Sequence, residues 1–131
     1  MSEQHPHPAP DADAAPFWDG CRRHRLLLQQ CTACAMWRFP PRPRCPSCRS
    51  DQFAWNPASG RGLIASYTIC HPPVLPAYAD RVPYNVIVVE LAEGPFIVSN
   101  LLDAAPAVDM AVDVTFVDVD ADLTLPQFRT V

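Results

Sequence analysis

From residue 63 to the end of the chain, apolar and polar positions alternate with a period of two. The segments "LIASYTIC" (63–70), "YNVIVVEL" (84–91), "PFIVSNLL" (95–102), "DVTFVDV" (113–119) and "LTLPQFR" (123–129) are rich in Val, Ile, Phe and Tyr, and read as five strands. Pro72, Pro73, Pro76, Pro83, Gly94, Pro106 and a scatter of acidic residues separate them. Upstream the pattern differs. Residues 1–15 are Pro, Ala, His and Asp with almost no large apolar side chain, so they cannot bury enough surface to offset ordering and read as a disordered tail. His5 and His7 in it read as solvated side chains, not ligands. "PFWDGCRRH" carries Phe17, Trp18 and Cys21 at helical spacing, with Pro16 at a first-turn position, and predicts a short amphipathic helix as far as His24. "RLLLQQC" reads as a strand running into a cysteine-rich segment, and Asn56–Gly62 reads as a turn or inter-domain joint.

Five short strands with one longer break around 103–112 suit a closed five-stranded barrel of the OB-fold type, an open sandwich being the alternative. The expected organisation is therefore mostly β: a tail over 1–15, a helix and cysteine-bearing unit over 16–56, and the barrel over 57–131.

Composition adds little to the fold and more to the chemistry. An apolar fraction of 49% over 131 residues is enough for a real core. No apolar run approaches the roughly 18 residues of a membrane-spanning helix, and the N-terminal stretch lacks the basic and apolar regions of an export signal. The expected location is the cytoplasm, where six cysteines are read as metal ligands or free thiols more readily than as disulfides. The net charge of −4 hides an asymmetry: lysine is absent, seven of the ten arginines lie between Arg22 and Arg49, and nine of the fourteen acids lie from Asp80 onward. A barrel so acidic repels phosphate, which counts against single-stranded nucleic acid as its partner, the reading that an OB-fold would otherwise invite.

Residues 31–48, "CTACAMWRFPPRPRCPSC", carry the clearest chemical signal. Cys31, Cys34, Cys45 and Cys48 match C-x2-C-x10-C-x2-C. Each C-x2-C turn brings two thiolates to one ion, and the spacer returns the second pair to complete a tetrahedron. Zn²⁺ suits such a set, and rubredoxin-type iron takes the same ligands. Four filled ligand positions leave none open for substrate, so the metal is expected to be structural. Arg38, Arg42, Arg44 and Arg49 are available to offset the charge of −2 on the site, and four prolines stiffen the segment. Glycine commonly follows the second cysteine of each turn because the backbone there takes positive φ; Ala35 and Arg49 stand there instead, at an expected cost of about 1 kcal/mol per turn.

"PFWDG", "LLLQQCTAC", "FPPRPRCPSC", "SGRGLIASYTICH" and the terminal "LTLPQFR" together resemble the DUF35 or OB-fold acyl-CoA-associated family, a rubredoxin-like zinc ribbon fused to an OB-fold, over about 115 residues. The resemblance implies a structural Zn²⁺ on Cys31, Cys34, Cys45 and Cys48. It also implies a role in lipid metabolism as a non-catalytic partner of thiolase-like enzymes, including thiolases and aldolases acting on CoA esters in steroid side-chain or aromatic degradation. The partners implied are thus a catalytic subunit and acyl-CoA. Nothing else in the sequence competes as an active site: there is no Gly-rich phosphate loop, no Gly-x-Ser-x-Gly, and adjacent Cys70 and His71 point to opposite faces of a strand. Cys70 and Cys21 read as packing residues. Arg38 and Arg42 are candidates for contacts to the phosphates of acyl-CoA, with thiolate neutralisation or solvation as the alternative. Phe17, Trp18, Trp37 and Phe39 are candidates for partner-interface anchors, with packing on the ribbon as the alternative.

Overall fold

The computed structural model describes residues 6–9 and 11–131. Part of the tail expected to be disordered, residues 1–5 and 10, lies outside them, His5 included. Helix α1 runs Ala15–Arg22 with Pro16 in its first turn. It stops short of the expected His24 because His24 turns to φ 58°: its amide bonds Cys21 O and the Arg25 amide bonds Gly20 O, which caps the last carbonyls.

Two sheets follow. In the first, β1 (Leu27–Cys31) lies between β2 (Trp37–Arg38) and β3 (Phe53–Pro57), all antiparallel. β3 occupies residues whose Pro and Asn read as a turn; pairing of Phe53 with Cys31 and of Trp55 with Gln29 overrides that local preference. The second sheet has the order β6-β5-β4-β7-β8, from β4 (Arg61–Cys70), β5 (Tyr84–Leu91), β6 (Phe96–Ser99), β7 (Ala111–Asp118) and β8 (Thr124–Thr130). All five barrel strands read from the alternating pattern are present.

The sheet curls because β4 serves two neighbours. Its first residues pair with β7, and a bulge between Ile64 and Ser66 turns the rest to pair with β5 alone. β6 ends three residues earlier than the pattern suggests because Asn85 takes over: its side chain bonds Leu101 N and O at 2.7 and 2.8 Å. That releases residues 100–102 to β8, where Leu101 bridges Phe128 in parallel and Phe128 N bonds Asn100 O at 3.0 Å. The result is the OB-fold half-barrel.

Ile64, Ile87, Val89, Val112 and Phe128 form the barrel core at 0% exposure, and Phe17, Cys21, Leu26 and Leu28 from the helix and ribbon pack into the same cluster. Burial pushes the Cys21 thiol up to about 12, in keeping with a packing role. The joint between the sheets is tight. A Cβ on Gly62 would lie 2.5 Å from Glu90 O, and one on Gly60, at φ +80°, would lie 2.3 Å from a methyl of Val114. No helix among the described residues is long and apolar enough to cross a membrane.

Candidate metal centre

β1 delivers Cys31 at its last residue, and β2 begins six residues later, so Cys34 sits on the connecting turn. The second turn, at Cys45–Cys48, repeats the backbone bonds of the first. Ala35 N donates to Cys31 O and Arg49 N to Cys45 O, both at 2.9 Å, while Cys31 N and Cys45 N donate to Met36 O and Ser50 O. Amides also point at sulfur, Cys34 N at Cys31 Sγ and Ser47 N at Cys45 Sγ, each at 3.4 Å. These donors hold the Cys31 and Cys45 thiols below their ordinary range; the Cys48 amide is the largest influence on Cys45, which falls to about 6.

The four sulfurs lie within 4.8 Å of one another, with Cys31–Cys48 and Cys34–Cys45 at 3.6 Å. A tetrahedron with Zn–S of about 2.3 Å has edges of about 3.8 Å, so the set fits a single Zn²⁺ with no position left over. Cys31 and Cys45 are buried; Cys34 and Cys48 face outward. Both turns take the positive φ that the sequence implied, 68° at Ala35 and 66° at Arg49.

The arginines divide. Arg42, Arg44 and Arg49 are exposed. Arg38 is only 4% exposed; its Nε donates to Gln29 Oε1 at 2.9 Å and its Nη2 to Arg42 O at 2.9 Å. The same Gln29 oxygen accepts the Arg42 amide at 2.8 Å, so two buried side chains pin the spacer to β1. The aromatic candidates divide too. Phe17 is 4% exposed, stacks on Phe39 at 5.1 Å and belongs to the core, whereas Trp18, Trp37 and Phe39 are half-buried around it. Between ribbon and barrel, Met36, Trp37, Phe39 and Arg42 face Glu93 and Phe96 across a cleft of about 400 Å³.

A larger cavity, about 500 Å³, lies on the barrel between Tyr78, Arg81, Tyr84, Leu102 and Gln127. No local pattern signals it, because it is made by the proline-rich 71–83 loop folding over residues that β6 releases. Cys70 ends β4 opposite Tyr84, and its thiol beside the Tyr84 hydroxyl raises that phenol.

Residues 18–54 match the family described as the ChsH2 rubredoxin-like zinc ribbon domain, and residues 55–117 the one described as the ChsH2 C-terminal OB-fold domain. The chain is 39% identical over 127 residues to a protein of Thermomonospora curvata named "Probable enoyl-CoA hydratase alpha subunit", covering 95% of this chain but only 39% of that one. It is 30% identical over 105 residues to a DUF35 domain-containing scaffold protein of Methanocaldococcus jannaschii, covering 76% and 73% of the two chains. Among solved structures it superposes on a chain of the Ltp2-ChsH2(DUF35) aldolase with a TM-score of 0.87, 38% identity and coverage of 95% and 98%. The four cysteines thus form a structural zinc site of the rubredoxin-like ribbon, and the chain belongs to the DUF35 family in its ChsH2-type form, a zinc ribbon followed by an OB-fold.

Proposed function

We propose that this protein is a non-catalytic, cytoplasmic subunit that docks a thiolase-like enzyme, a thiolase or aldolase acting on CoA esters, and lends surface to the acyl-CoA. The observation that carries this reading is its likeness, nearly end to end, to the DUF35 chain of an aldolase assembly. The closed metal site supports it, since four thiolates leave no coordination position for substrate. So does the ribbon–barrel side of the molecule, where Met36, Phe96 and Val98 are 42%, 53% and 66% exposed beside the half-buried Trp18, Trp37 and Phe39. Apolar surface so concentrated is typical of an interface core. On this reading Arg42 offers its guanidinium to the CoA phosphates at the edge of the cleft, and Arg38, held beneath it, fixes the Arg42 peptide rather than reaching the ligand itself.

The test is co-expression with a thiolase-fold aldolase. A stable complex whose CoA-ester turnover falls at least tenfold when this chain is omitted supports the proposal. Full turnover by the partner alone, or turnover by this chain alone, overturns it. Arg42→Ala in the complex is expected to raise the KM for acyl-CoA with little change in kcat.

A further inference from the structure

Arg38, 4% exposed, is a buried cation that forms no ion pair among the described residues. Glu93, which lines the same cleft and has a buried oxygen without a partner, lies beyond ion-pair distance. Its partners are a side-chain amide oxygen, a main-chain oxygen and the face of Phe53, whose ring centre lies 4.7 Å from the guanidinium carbon; its Nη1 has no partner. All of these orient a guanidinium, and none carries the negative charge that a cation taken out of water needs.

The strand register brings Arg38 close to the metal turns. Arg38 pairs with Gln29, and Cys31 lies two residues beyond Gln29, on the same face of β1. Phe53, under the guanidinium, pairs directly with Cys31. Four thiolates around one Zn²⁺ carry a net charge of −2. We propose that the loaded metal centre is the counter-charge of Arg38, and that Arg38 and Gln29 are positioning residues for zinc: Gln29 clamps the spacer through the Arg42 amide, while Arg38 supplies the buried positive charge that favours the tetrathiolate. Metal and arginine therefore stabilise each other, and removing the metal leaves the guanidinium uncompensated.

The decisive variant is Gln29→Glu in the full-length chain. A glutamate oxygen can accept the same two hydrogen bonds, but it brings Arg38 a carboxylate of its own. Zn²⁺ affinity, measured by competition with a chromophoric chelator, is expected to fall by roughly 10–100-fold, the range typical of residues behind metal ligands. The thermal midpoint of the metal-free protein is expected to hold or rise. Arg38→Met is expected to lose zinc affinity to a similar extent and Arg38→Lys, which keeps the charge and loses the fork, to lose less. The idea is overturned if Gln29→Glu binds Zn²⁺ as tightly as the parent, or if zinc affinity and metal-free stability fall together, which would mark the pair as general scaffolding. Should Arg38→Met fail to fold, Gln29→Glu and Arg38→Lys still decide the question.

Discussion

In the ribbon, the buried positions of β1 and β2 and the two metal turns include Gln29, Cys31, Arg38 and Cys45; in the barrel those fully shut off from solvent are Ile64, Ile87, Val89, Val112 and Phe128. The ribbon sheet has strands of five, two and five residues, too short to bury an apolar layer of its own. It is held by sulfur and a polar clamp, and its apolar side chains, Leu26 and Leu28, are spent on the shared core. The barrel reverses this, with its polar residues at the seams, as at Asn85 and Ser99, and its interior apolar. Stability that comes from a metal can be withdrawn by chemistry, whereas stability that comes from packing yields only to a change of volume.

The sharpest way to break the comparison is to attack each half by its own means. Cys45→Ser is expected to abolish stoichiometric zinc, forfeiting on the order of 10 kcal/mol of binding free energy. Hydrogen exchange should then show β1–β3 unprotected while β4–β8 remain protected. Phe128→Ala, by contrast, is expected to cost about 3–5 kcal/mol and to lower protection in both halves, because the core is continuous. If Cys45→Ser unfolded the barrel as completely as the ribbon, the division would fail.

A smaller effect of opposite sign is expected at the two metal turns. Ala35→Gly and Arg49→Gly relieve positive φ and should each stabilise the zinc-loaded protein by about 1 kcal/mol, read as a rise in chelator concentration at half-unfolding. The smallest effect belongs to the barrel rim. The Thr130 amide and hydroxyl both bond Asp103, at 2.9 Å, and hold its carboxyl below the usual range. A depressed folded-state pKa adds stability above the unfolded value, about 4, that is lost as pH falls through the folded value. Asp103→Asn should therefore lower the melting temperature slightly at pH 7, with the gap closing as pH falls below the unfolded value; parallel curves would show that Asp103 has no such role.

Much of this was legible in the sequence because the signals were local. Cysteine spacing and period-two alternation are properties of neighbouring residues, and both turned into structure with the expected strands and the expected φ at Ala35 and Arg49. What escaped was set by distant partners. β3 forms only because β1 is there to pair with it, and the early end of β6 depends on Asn85 from another strand. Arg38 looks on paper like any of its six neighbours in the arginine-rich half; only the fold reveals that it is the buried one. Phe17 likewise has the look of a surface anchor until the core closes over it.

Gly60 and Gly62, which from their composition could pass for a flexible linker, are wedged against Val114 and Glu90 so closely that any side chain would collide. The joint is thus seated on the barrel, and Leu26 and Leu28, which belong to the barrel's own core cluster, tie the ribbon to it. Whatever meets this protein encounters a single rigid template, with its contours fixed before contact and little motional freedom left to surrender on assembly.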